Sequence, residues 1–490
     1  MNTALWLVKR DMRLFDNAAL GRAVTECAQV IPLYVFEPLV FAGPDWGVVH
    51  TQAVHDGVTS LRKNLEYYGS TLVVRQGALL AELEALRRTS PFDAIYAHEE
   101  TGLNHTFARD QALATWCRER HIKLVEVPTN GVVRGLKNRD HRQKLFSAEI
   151  DGPLLPIPKD RLPGSLPPRI TKGRIPALSA LGVKRNDDLW IVSERVAHDT
   201  LREFLRVRSQ GYSGGISSMN TAPTACSRLS VQLAWGTISL ATIMRYTNDR
   251  LQVLSADKDP AAMRHKKSLR KFQSRLYWHS HFVQKLEDEV EMEFAAVNPV
   301  FRAGLPYVTG AEHDARLLAW KTGQTGFPMI DAAMRYYVQH GWLNFRSRAA
   351  ITSFATHALR LPWQTMVYEL AKLMHDYVPG IHVSQVQMQA GVTGTNTIRV
   401  YSPQKQLEDH DPQCYFVQKN VPELAQYCAA EIINHQSQPL CGYVAPIIDF
   451  KVETKIMKDA LYSKKKSPDG RMNAKIVYKK HGSRKRSGKK

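Results

Sequence analysis

The stretch Gly323–Phe354, GQTGFPMIDAAMRYYVQHGWLNFRSRAAITSF, constrains this chain more than any other segment. It strings two arginine-bearing helices around a Gly-Trp turn. Pro328 suits a first helical turn, where its missing N–H costs nothing. Ile330, Ala333, Met334 and Tyr337 then recur at helical spacing. After Gly341-Trp342, Arg346 and Arg348 stand two apart, so they leave one helix from different faces. Taken by itself, such an element reads as an amphipathic hairpin with solvated arginines.

At 490 residues the chain has room for two domains and a sizeable core. Strand-like and helical segments alternate over residues 1–134, with strands expected at Leu5–Val8, Ile31–Phe36, Thr71–Arg75, Ala94–Ala97 and Lys123–Val127. Alternation of this kind predicts a parallel, doubly wound α/β sheet. Neither GxGxxG after the first strand nor GxxxxGK[ST] is present, which removes the dinucleotide fingerprint and the P-loop. Residues 135–195 are Pro-rich and irregular and read as an interdomain linker; from 196 to 450 helical periodicity dominates.

Lys and Arg number 66 against 46 acids, a formal charge of +20. Residues 451–490 carry 12 Lys and 3 Arg against 3 acids, so +12 of that charge sits in a basic C-terminal tail, with runs at Lys464–Lys466, Lys479-Lys480 and Arg484–Arg486. Such runs raise local polyanion concentration and make binding salt-dependent, although a solvated, unstructured end has the same composition. The six cysteines show no ligand spacing, so no metal is expected, and scattered thiols fit a reducing cytoplasm. No run of 18 apolar residues exists, and Lys9-Arg10-Asp11 interrupts the start before a signal core could form. A cytoplasmic protein, without a membrane and monomeric, is the expectation.

Several motifs share one resemblance. Gly323–Phe354 resembles the TGxPxxDAxMR, GWxxNRxR and SF signature of the photolyase/cryptochrome family. Lys9–Leu20, KRDMRLFDNAAL, resembles that family's opening, with Lys9 in place of an arginine; Arg10, Asp11, Arg13 and Asp16 read as structural pairs at the domain junction. The resemblance spans roughly residues 1–450. It implies an α/β N-terminal domain followed by an all-helical FAD-binding domain. Cys226-Ser227-Arg228-Leu229-Ser230 is similar to the family's TSRLS turn around the FAD phosphates. Hydroxyls and backbone N–H groups suit a pyrophosphate; Arg228 fits either a phosphate or a carboxylate. Arg348 matches the arginine that pairs with an aspartate beside the isoalloxazine, here Asp376, and a cation there stabilises reduced flavin. Gly391–Asn396 is similar to the family's AxTGTD loop, with Asn396 dropping a charge.

The same resemblance implies UV-damaged DNA as partner and light-driven splitting of a pyrimidine dimer or (6-4) product by an electron from reduced FAD. Trp278, in Lys271–Trp278, matches the tryptophan that stacks on the flipped lesion, and an ordinary core tryptophan is the competing reading. Arg346 and Gln406 map near it. Arg275 stands where a lesion-binding glutamate is usual, and Phe345 replaces the Asn of NRxR; a guanidinium only donates, so it cannot replace a carboxylate that accepts. Trp363 matches the middle tryptophan of the family's electron wire. The flavin-proximal position falls in Gln385–Gln389, which has no Trp, leaving Tyr377 or Trp342 as other carriers. The residue facing flavin N5 is expected among Ile381, His382 and Val383. Asn104-His105 falls where folate-binding members carry Asn-Glu, so a second antenna chromophore (folate, flavin or deazaflavin) or an empty site remains open. The competing functional class is a blue-light-signalling cryptochrome.

Overall fold

In the computed structural model, which describes residues 3–162 and 164–483, the N-terminal part is a five-stranded parallel sheet. Its strands are β1 (Thr3–Leu7), β2 (Gln29–Phe36), β3 (Val73–Gln76), β4 (Ala94–His98) and β5 (Lys123–Val127). They lie in the order β3-β2-β1-β4-β5, so the direction of winding reverses between β1 and β4. All five expected strands are present to within two residues. Helices Val48–Tyr67 and Asn104–Glu119 cover the sheet with others. Both faces are buried, as a parallel sheet requires: Trp6, Tyr34 and Tyr96 point to one core, Leu5, Ile31 and Ile95 to the other.

The linker is more than a tether. It contains the helix Arg142–Ile150, and its residues 171–173 run along the free edge of β3. The Val74 N–H donates to the Lys172 carbonyl at 2.9 Å, and Arg62 donates to the carbonyls of Leu72, Lys172 and Gly173. An open strand edge is thereby covered.

Beyond residue 193 the described chain is helical. The longest element, Pro260–Asp288, starts on the Asp259 side chain, which accepts from the Ala261 N–H at 3.2 Å. Pro328 does open a helix, Pro328–His340, and Ile330, Ala333, Met334 and Tyr337 are all buried on its core face. That helix ends on Gly341 at φ +62°, where a Cβ would meet His375 and Leu189. Asn344 then caps the helix Phe345–Ser353, accepting from the Ser347 N–H at 2.8 Å. The basic end is also ordered into helices, Phe450–Lys466 and Pro468–His481, which pack on the body through Met457, Leu461 and Val477. Its last run, Arg484–Arg486, lies outside the described residues.

The first loop joins the two parts. Arg10 donates to the Tyr377 carbonyl at 2.9 Å and lies 4.8 Å over the Trp235 ring; Arg13 donates to the Gly236 carbonyl; Asp16 accepts from Ser239 and Thr242. Asp11 sits against Gly236 at this junction, and its carboxylate meets His98 of the α/β part at 2.8 Å. Although burial opposes that charge, His98 and Arg13 hold Asp11 down at about 2.

Candidate functional site

A cavity of ≈ 960 Å³ opens in the helical part and is continuous with an inner pocket of ≈ 250 Å³. The helix Pro260–Asp288 supplies one wall. Arg275, Trp278, His279, Phe282 and Lys285 recur at three and four residues along it and so form one stripe facing the cavity. Trp278 and Phe282 stack, with ring centroids 5.7 Å apart and planes 26° from parallel. Lys285 lies 5.3 Å over the Phe282 ring, and burial, with Arg139 adding, pushes its ammonium down to about 8. Arg275 is exposed at the rim beside Tyr212.

The inner pocket is built around Arg348. One of its terminal nitrogens donates to both Asp376 oxygens, at 2.9 and 2.8 Å, and its Nε donates to the Leu343 carbonyl at 2.8 Å. Burial opposes the guanidinium charge, but Asp376 outweighs it and holds Arg348 above its ordinary range. Cys226, Ser227, Leu229 and Ser230 line the cavity, and Arg228 lines the inner pocket. The turn is braced from outside: Arg208 donates to the carbonyls of Cys226 and Ser227. Arg228 sits at φ +60°, donates to the Pro223 carbonyl and lies 5.2 Å over Trp190. Burial pushes the Cys226 thiol up to about 11, so it offers an S–H at neutral pH.

Of the three candidates for the flavin-facing position, Ile381 and His382 reach the pocket wall, while Val383 is buried elsewhere in the core. His382 donates from Nε2 to the Val367 carbonyl, 2.9 Å away, and burial pushes its imidazole down to about 4, so it is neutral at pH 7. Thr393, Thr395 and Asn396 join the outer wall. Gly394 between them has φ +73°, and a Cβ there would stand 2.1 Å from the Asn298 amide nitrogen, so this loop requires glycine.

Arg346 and Phe345 reach the cavity, and Trp278 faces it as expected. Gln406 does not: it is buried in the helix Pro403–His410, outside the wall. Trp363, matched to a relay tryptophan rather than to the pocket wall, is a core residue 1% exposed and does not line the pocket. Trp342 lines the inner pocket with its ring 5.5 Å from Trp190, and Tyr377 lies 5.7 Å from His382. Sequence reasoning missed His279, Phe282 and Lys285, although spacings of one, four and seven from Trp278 put them on the same helix face. It also missed Tyr478 and His481, which join the wall from two hundred residues away with no local signal.

The wall is polar in the way a ligand requires. Arg346 Nε, Gln385 Oε1, Thr393 Oγ1, both His279 nitrogens and the Tyr337 hydroxyl are buried without a protein partner, and each belongs to a lining residue. Unpaired buried donors and acceptors around an apolar floor fit a large, polar, planar cofactor. In the α/β part the opening near His105 is ≈ 50 Å³, room for a few waters. Arg109 lines it, paired with Glu37 at 3.1 Å and Glu100 at 2.6 Å. Among the described residues no acidic, histidine or cysteine cluster suits a metal, and no helix is long and apolar enough to cross a membrane.

Comparison with known proteins places this geometry. The model described as the FAD binding domain of DNA photolyase matches residues 272–463, and the DNA photolyase model matches residues 4–145. A deoxyribodipyrimidine photo-lyase of Streptomyces griseus is 26% identical over 484 residues, 92% of this chain and 97% of its own. Cryptochrome DASH of Gloeobacter violaceus is 25% identical over 459 residues, 86% of each chain. A class III photolyase from Agrobacterium tumefaciens superposes with a TM-score of 0.81 at 22% identity, covering 95% of this chain and 98% of that one. An archaeal photolyase from Sulfolobus tokodaii, solved with two FAD molecules, gives 0.76 at 22% identity over 94% and 99%.

Proposed function

The chain belongs to the photolyase/cryptochrome family, and on that premise we propose that it repairs UV-induced pyrimidine dimers in DNA with light, using FAD held in the cavity of the helical part. The observation that carries this reading is that one continuous cavity joins the Arg348–Asp376 pair at its inner end to the Trp278–Phe282 stack at its outer wall. Bound reduced FAD supplies light-driven one-electron donation.

The protein's own groups do the rest. Arg348, held above its ordinary range by Asp376, places a fixed positive charge in the inner pocket, where it favours negative charge on a bound ring. Ser227, Ser230 and Thr393 offer hydroxyls for phosphate and ribose oxygens, and the Cys226 S–H offers a weaker donor. His382 stays neutral, so it adds no second charge beside Arg348. At the mouth, Trp278 presents an aromatic surface to an unstacked base, which Arg346 can meet as a donor. A photo-lyase working in a reducing compartment such as the cytoplasm is consistent with six free cysteines.

The rim favours a second reading, a light sensor without repair. Arg275 and the exposed Phe345 stand where an acceptor for the lesion's N–H groups is needed, and neither accepts. The deciding experiment illuminates chemically reduced, FAD-loaded protein with oligonucleotides bearing one cyclobutane dimer or one (6-4) product. Light-dependent restoration of either base pair establishes repair and names the lesion. No restoration of either, with FAD bound and photoreducible, replaces repair with signalling.

A further inference from the structure

The family match ends at residue 463, yet the chain continues as a second helix, Pro468–His481, whose last turns form part of the cavity wall. Val477, Tyr478, His481, Gly482 and Ser483 all line it. The helix is held there by Glu289, whose Oε2 accepts from Lys480 at 2.6 Å and from His481 at 2.8 Å. Glu289 directly follows the helix that carries Trp278, so a single carboxylate ties the two walls together. Lys465, on the preceding helix, donates to the carbonyl of Asn396 in the rim.

Arg471, Lys475, Tyr478 and Lys479 follow one another at intervals of four, three and one, which puts them on one face of this helix, and all four are exposed. From Arg471 to Lys479 that face runs about 12 Å. It is therefore a cationic stripe that leads to the cavity and meets it at an aromatic ring. Tyr478 is 58% exposed at the edge of the opening, which leaves its ring face accessible.

Resting on the functional reading above, we propose that the helix Pro468–His481 is a second DNA-binding element that grips the strand whose nucleotide enters the cavity. Arg471, Lys475 and Lys479 take its phosphates, and Tyr478 stacks on a base at the mouth. The occupant is a nucleic acid strand because the stripe pairs repeated cations with one aromatic face, the combination that single strands require. The pairing of Lys480 and His481 with Glu289 sets the stripe's position rather than binding the strand.

The test uses full-length, FAD-loaded protein and fluorescence anisotropy with labelled duplexes, undamaged or carrying one cyclobutane dimer or one (6-4) product, over a range of salt. Three proteins are compared: wild type, Lys475→Gln/Lys479→Gln and Tyr478→Ala, each checked for unchanged flavin absorbance. The double variant is expected to flatten the log–log salt slope by roughly 1–2. Tyr478→Ala is expected to weaken lesion binding about tenfold with the slope kept. If wild type prefers the lesion but both variants match it in slope and affinity, the helix has no such role. Tighter lesion binding by Tyr478→Ala also overturns the proposal, since the ring then obstructs the cavity. A wild type that binds all three duplexes equally overturns the functional reading and this one with it.

Discussion

A single nitrogen of Arg348 serves both oxygens of Asp376, while its Nε is spent on the Leu343 carbonyl, so the guanidinium is pinned at both ends before any ligand arrives. The Asp376 side chain is 4% exposed and that of Arg348 22%. Removing the cation leaves a buried carboxylate with no equal partner.

Arg348→Ala is accordingly expected to lower stability by about 3 kcal/mol, the lower end for a broken buried pair because Arg348 keeps some solvent contact. It is also expected to impair accumulation of reduced flavin. Urea denaturation and the flavin reduction potential check this. Unchanged potential and photoreduction would remove Arg348 from the role given to it.

Trp278→Ala removes half of the aromatic pair with Phe282. Binding to dimer-containing DNA should weaken about tenfold while FAD content stays the same. Equal affinity of wild type and variant for the lesion would return Trp278 to an ordinary packing role.

Gly394→Ala forces a Cβ onto the Asn298 amide at φ +73°. A cost of about 1–3 kcal/mol is expected, with Thr393 and Thr395 moved from the wall. The readout is faster loss of FAD on dilution; retention as in wild type would show that the loop does not hold the cofactor.

Acid should destabilise the protein through its buried histidines. Burial pushes His279 from 6.5 down to about 4, and His375 and His382 likewise. The unfolded chain therefore binds protons between those values that the folded chain refuses. Stability is full above pH 6.5 and falls as pH drops towards 4, by about 1.4 kcal/mol per pH unit for each such histidine. His279→Leu, which removes two unpaired ring nitrogens, should lessen the slope by about that amount. A denaturation midpoint flat from pH 7.5 to 5 would contradict the assignment.

The sheet was legible because apolar runs of strand length alternate with helical spacing, and Pro328 and Gly341 mark helix limits by backbone chemistry that needs no tertiary information. The cavity's inner end was legible through motif residues such as Ser227, Arg348 and Asp376. Gln406, mapped near the lesion face, lies outside the cavity wall, because a position carried over from a resemblance does not say which face of a helix turns inward. The ordering of the basic end escaped notice for a related reason. Met457, Leu461 and Val477 are sparse among lysines, and only a preformed surface turns so thin a stripe into a packed face.

The covered edge of β3 has a temporal consequence. The last strand is complete at Val127, but the backbone that seals β3 arrives only with residues 171–173. During synthesis the ribosome must deliver more than forty further residues before the sheet loses its unpaired edge. For that interval the nascent protein carries a sticky flank, and the segment that follows it acts as its own chaperone.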